Sequence, residues 1–227
     1  MVIDPSLTQA QWHEYIRQVS SIVTFKTLAP AEPLGRMNFT LGIDYSVTPI
    51  DQRDPAWINT FTHPDAGCPL GDQIKVPALR ARLGVSKRVD VGAYWNTAPR
   101  ANYGALGGEV KYTFLEEAAR VPAAAVSMSV TTLTGVPDYN INVYGLGLAA
   151  SKRVGRLTPY LGVREGLAIG TETTTKVALE TERLGLTQGF VGATWSIWKL
   201  GLAAEYDLSV VNTFAFVIGL RPHADRH

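Results

Sequence analysis

From Met37 onward, apolar and polar residues alternate with a period of two. Met37, Phe39, Leu41, Ile43, Tyr45 and Val47 are apolar, and Asn38, Thr40, Gly42, Asp44, Ser46 and Thr48 lie between them. Successive side chains of a strand leave opposite faces, so this pattern predicts one long strand. It would hold about 12 residues, where a usual strand holds about 5–6. The alternation returns from Leu79 to Val85, Val89 to Trp95, Leu106 to Phe114, Ala124 to Val130, Tyr139 to Leu148, Pro159 to Ile169, 183–197, Leu200 to Leu208 and Phe214 to Leu220. Ten strands are predicted. The phase slips near Tyr144-Gly145 and near Gly189, as a β-bulge would make it slip. Connections at Ser86–Val89, Ser151–Leu157 and Ile197–Leu200 are short, whereas 51–72, 97–104 and 171–182 on the other end are long and polar.

The first 35 residues read differently. Ser6 and Gln9 are spaced as a capping box, and Leu7, Ala10, Tyr15, Val19 and Ile22 fall at helical spacing. A helix over 7–24 is predicted, ended by Pro30, Pro33 and Gly35. The expected organisation is a helix and Pro-rich linker over 1–35, periplasmic or docked on a barrel, a barrel over 36–222 and a tail over 223–227. No signal peptide opens the chain, since Val2 to Arg17 holds no long apolar core. Two readings follow: a protein that is not exported, or a mature form in which Met1 replaces the leader. A barrel that spans a membrane favours the second.

Composition narrows the class. Among 227 residues the formal net charge is +1, so no basic surface for nucleic acid is expected. Charged residues are 18%, below the roughly 25% of a soluble domain. Yet the longest apolar run, counting Gly, is Val143 to Ala150, far short of the roughly 20 residues of a spanning helix. A soluble sheet would carry dense charge on its water face. Here the polar face is mostly Gly, Ser, Thr and Asn, and 121–137 holds no charge at all. A soluble lipid-binding barrel is the competing reading. A closed, antiparallel, up-and-down transmembrane β-barrel accounts for the whole set, because lipid tolerates no unpaired sheet edge. Strand parity places Tyr45, Trp95, Tyr139 and Tyr206 outward near the long-loop end. It places Tyr112, Phe114, Trp195 and Trp198 near the short-turn end, so two aromatic belts are expected.

With this pattern, and with the last strand Thr213-Phe214-Ala215-Phe216-Val217-Ile218-Gly219-Leu220, the chain resembles the bacterial outer-membrane β-barrel proteins over about 37–222. Those proteins close with an alternating aromatic-apolar strand that the barrel-insertion machinery reads. They usually stop at an aromatic residue, whereas this chain continues from Arg221 to His227. The resemblance implies a Gram-negative outer membrane, a periplasmic N-terminus, short periplasmic turns and longer outside loops.

Candidate chemistry is sparse. Parity turns Asp44, Arg80, Arg82, Asp90, Glu109, Lys111, Arg164, Glu205 and Asp207 inward, five acids against four bases. Buried charges persist when paired, so a polar network filling the lumen is expected. The alternative is a narrow pore for small solutes or ions, constricted by Arg80, Arg82, Glu109 and Asp207. Glu165 shares parity with Leu161 and Leu167, and a bulge at Glu165-Gly166 would turn it inward. No nucleophile, zinc or phosphate-loop motif is present. His63, beside Asp51, Asp54 and Asp65, is the one candidate for a hydrolase at the outer rim, since some ten-stranded outer-membrane barrels are proteases using His and Asp there. His13 on the helix reads as solvent-facing or packing. No catalytic residue, metal site or cofactor is expected. Cys68, the sole cysteine, excludes an internal disulfide. Besides the bilayer and the insertion machinery, a protein partner would engage residues 7–24 or Cys68. The short turns hold Lys87, Arg88, Lys152, Arg153 and Arg156, placed to meet anionic phosphates of the inner leaflet. The expected function is a membrane scaffold, structural or partner-binding, and not catalysis.

Overall fold

A computed structural model describes residues 2–58, 61–62, 71–98 and 103–220. Ten antiparallel strands form a closed barrel. In chain order they are β1 (Phe39–Pro49), β2 (Gln73–Gly84), β3 (Val89–Ala98), β4 (Tyr103–Leu115), β5 (Ala123–Thr134), β6 (Tyr139–Ser151), β7 (Leu157–Glu172), β8 (Glu182–Ile197), β9 (Leu200–Leu208) and β10 (Thr213–Leu220). Each pairs with its sequence neighbours, and β10 closes on β1 with Phe216 opposite Tyr45. Closure leaves no free edge, as a strand in lipid requires. The outer face carries exposed Leu, Val, Ile and aromatics on every strand, among them Leu41, Leu79, Trp95, Leu146, Leu161 and Phe216. The chain is a transmembrane β-barrel.

Before β1 runs helix α1 (Gln9–Val23). Its cap is Thr8, not Ser6. The Thr8 hydroxyl accepts from the Gln11 amide while the Gln11 side chain bonds back to Thr8. Ser6 instead donates to the Asp4 carboxylate at 2.7 Å. Thr8 lies one residue before the helix, where its oxygen can reach the free amides of the first turn.

Helix α1 sits in the mouth of the barrel at the long-loop end. Trp12, Tyr15, Ile16 and Val19 form one core with Tyr139, Ile141, Val143, Ala168 and Leu186 of the barrel wall. A short helix α2 (Pro55–Ile58), between β1 and β2, adds Trp57, whose indole N–H donates to Gln18 at 2.6 Å. The chain then runs down through the lumen over 24–35 and leaves at the short-turn end, where β1 begins. At the exit Gly35 has φ +83°, and a Cβ on Gly84 would lie 2.0 Å from the Gly35 carbonyl oxygen. Two glycines therefore let the backbones touch as the chain turns out of the barrel.

This plug explains three departures from the expected pattern. Tyr139 is 3% exposed and faces inward, not toward lipid. Its hydroxyl lies 2.5 Å from that of Tyr15. The pairings of β6 and β8 run without slips at Tyr144-Gly145 or Gly189, so neither bulge exists. Alternation is unbroken, and what changes is its meaning. Near the long-loop end the inner face meets an apolar helix and carries Tyr139, Ile141, Val143, Leu184 and Leu186. Lower down, the outer face meets lipid and carries Leu146, Leu148, Val191 and Trp195. Glu165 also keeps its register, opposite Thr187, and points outward, where the Thr187 hydroxyl donates to it at 2.9 Å. Among the described residues the strand pairing shifts register between Thr113 and Leu115.

Candidate functional site: the plugged lumen

A chain without secondary structure still carries an amide and a carbonyl at nearly every residue, and inside a barrel they need partners. The wall supplies them in a ladder down the lumen. Gln188 donates to the Ser21 carbonyl at 2.9 Å and the Tyr94 hydroxyl to Val23 at 2.9 Å. Arg80 donates to Lys26 at 2.6 Å. Lys111 donates to the carbonyls of Pro30 and Glu32 at 2.9 and 2.7 Å. Thr113 donates to Ala31 at 2.7 Å, and the Ala31 amide donates to Ser151 at 3.1 Å. The Leu34 amide donates to both Asp90 oxygens, at 3.0 and 3.2 Å.

All nine inward charges read from parity, Asp44, Arg80, Arg82, Asp90, Glu109, Lys111, Arg164, Glu205 and Asp207, are buried. Eight of them form three ion-paired groups. Arg80 pairs with Asp44 at 2.6 Å, with its guanidinium over the rings of Phe25 and Tyr94. Arg164 bridges Glu205 and Asp207, each at 2.5 Å, and lies 3.9 Å from the centre of the Phe190 ring. Toward the short turns, Asp90 takes Lys111 at 3.1 Å and Arg82 at 3.5 Å. Glu109 accepts from the plug residue Thr27 at 2.5 Å.

The wall's charges do not balance alone, having one acid in excess. The plug brings a further base, Lys26, into the lumen. It is buried, and its ammonium donates to the Ile22 carbonyl at 2.8 Å. Sequence reading missed Lys26 because the residue lies outside any strand, so parity says nothing of it. The odd charge count was the available signal.

A gap of about 80 Å³ remains between the plug and the wall near Thr40, Gly42, Gly201 and Gly219, bordered by Arg80 and Arg82.

On the outer face Tyr45, Trp95, Tyr112, Phe114 and Trp195 are exposed, and Trp198 most of all at 79%. Tyr206 stacks on Phe214 with ring centres 4.4 Å apart. Tyr139 is absent from this face, as above. His13 is half-exposed beside Glu182 at 2.9 Å. The apolar face of 7–24 is spent on the protein's own barrel, which leaves its polar face alone for any partner. His63, Asp65 and Cys68, and the tail over 223–227, lie outside the described residues. No cluster of three or more metal-ligating side chains occurs among the described residues.

Helix α1 and the short turns lie at opposite ends of the barrel. The expectation that the N-terminus and the short turns share the periplasmic side therefore fails in one of its two parts. The physical reason is the plug, which carries the chain across the full height of the barrel before β1 starts.

No known family and no curated protein matches the chain. Solved structures similar to it include neisserial surface protein A, at 10% identity over 81% of this chain and 95% of that one, with a TM-score of 0.33. The translocator domain of the autotransporter NalP from Neisseria meningitidis is similar at 10% identity over 93% of this chain and 95% of that one, with a TM-score of 0.40. Ail, the attachment invasion locus protein of Yersinia pestis, solved with the heparin analogue sucrose octasulfate, is similar at 14% identity over 82% of this chain and 96% of that one, with a TM-score of 0.29.

Proposed function

We propose that this protein is a permanently plugged outer-membrane barrel, a membrane scaffold that offers helix α1 and the long loops to one side of the bilayer. One observation supports this above the others: the chain's own residues 24–35 occupy the lumen, and the wall bonds their backbone, Arg80 to Lys26 and Lys111 to Pro30 and Glu32. A passage for solutes would need this segment to leave. Its departure would expose an apolar mouth and strip partners from Arg80, Lys111, Thr113 and Asp90. The long-loop end faces outward in this reading, as longer loops do in the family the sequence resembles, and the N-terminus faces outward with it. The insertion machinery would read β10.

The test is conductance in planar bilayers. The full chain should give no steady single-channel currents. A variant with Arg80→Met, Lys111→Met and Thr113→Val, which releases plug carbonyls, should give intermittent ones. Steady, ion-selective currents from the unaltered protein would overturn the scaffold reading in favour of a narrow pore.

A further inference from the structure

The outer wall is not uniformly bulky. Ala193 and Ala204 face each other on β8 and β9, and Phe216 on β10 pairs with Ala204. These small side chains floor a groove of about 510 Å³ on the lipid side, walled by Leu157, Trp195 and Leu202 below and by Tyr45 and Phe216 above. Leu157 pairs with Trp195, and Trp195 with Leu202, so the lower end of the groove opens at the short-turn rim.

Two turns meet at that opening. The Ser196 amide donates to the Arg156 carbonyl at 3.1 Å, tying the turn before Leu157 to the turn after Ile197. The second turn has two central residues, Trp198 and Lys199. Trp198 is held at φ +52°, a region in which glycine or asparagine sits at lower cost. That backbone projects the indole out of the rim, and the Lys199 ammonium lies over it at 5.2 Å. A strained backbone at an exposed position points to a function for the side chain it presents.

Charge decides what the groove takes. Three cations of this rim are paired, Arg88 with Glu116, Lys152 with Glu117 and Arg153 with Glu32, and of the exposed cations left without a carboxylate only Arg156 and Lys199 sit on the two turns at the groove. Arg156 and Lys199 are exposed and form no ion pair with a carboxylate among the described residues. A second copy docked here about a two-fold axis along the barrel would bring like charges together. An acyl chain fits the apolar groove, and an anionic phosphate completes the two cations.

We propose that the groove between β8 and β10 is a binding site for one anionic glycerophospholipid of the short-turn leaflet, its acyl chain over Ala193 and Ala204 and its phosphate on Arg156 and Lys199. The test is native mass spectrometry of the full-length protein, released from bilayers of equal phosphatidylglycerol and phosphatidylcholine. The unaltered protein should retain one phosphatidylglycerol in about tenfold preference over phosphatidylcholine. Arg156→Gln with Lys199→Gln should abolish the preference. Ala204→Leu, which fills the groove from the lipid side, should reduce retention of both lipids. Lys87→Gln, on a turn away from the groove, should change neither. Heat-modifiable migration on gels establishes that each variant is folded. Equal retention of the two lipids by the unaltered protein would overturn the proposal. So would a loss of preference in Lys87→Gln as large as in the double variant, because the cations would then act as a diffuse belt.

Discussion

The Arg80 guanidinium on the barrel wall holds the carbonyl oxygen of Lys26 on the plug at 2.6 Å, while its other edge pairs with Asp44. One side chain thus satisfies a buried acid and a buried backbone group together. The plug and the charge network are one structure, and neither is complete without the other.

The Arg164 group shows what this coupling is worth. Arg164→Ala leaves Glu205 and Asp207 buried side by side with no ion pair. Breaking a buried pair by removing one partner costs about 3–5 kcal/mol. Urea unfolding in lipid vesicles should show a loss of that order. Arg88→Ala, which breaks only the exposed pair with Glu116, should leave the midpoint unchanged.

The helix docks against a strand that has room for it only because Gly170 lacks a side chain. A Cβ there would meet Ile16 Cδ1 at 2.4 Å and Cγ1 at 2.7 Å. Overpacking of this kind costs about 1–3 kcal/mol. In Gly170→Val the barrel should still show heat-modifiable migration, while trypsin should cut after Arg17 faster than in the unaltered protein. Equal cleavage rates would mean that the helix is not seated on β7.

Helix capping separates the two candidate boxes. Thr8→Ala removes the side-chain acceptor of the first turn and should lower stability by about 1 kcal/mol. Ser6→Ala, an exposed position outside the helix, should have a smaller effect on the same melting curve. The reverse order would move the helix start.

Threading makes a prediction about sides. An epitope before Val2 and an epitope at 174–176 should be reached by antibody on the same side of the membrane, and an epitope at Lys87 on the opposite side. Accessibility of the first together with the third would refute the plug. Under the proposed orientation, intact cells should bind antibody at the first two sites, and protease should cut within 171–182 while sparing the Lys87-Arg88 turn.

Much of this architecture is legible in the residues alone. A strand has a period of two whatever surrounds it, so Asp44, Arg80, Arg82 and Glu205 can be placed on the inner wall by counting from Leu41, Leu79 or Tyr206. Loop lengths group the turns into two ends for the same local reason. Lys26 and Tyr139 mark where counting stops. Parity gives a side chain its face, but what that face meets is set by residues far away in sequence. Tyr139 reads as a lipid anchor until Tyr15, more than a hundred positions earlier, lies against it. The apparent bulges in β6 and β8 arise in the same way, from one regular strand whose inner face meets a helix above and whose outer face meets lipid below. The sequence by itself determined the strands and the inward face of the nine wall charges, because these follow from backbone geometry. Only the tertiary structure decided that residues 24–35 pass through the barrel, because the enclosing wall is assembled from strands that come later in the chain and no local pattern records what it encloses.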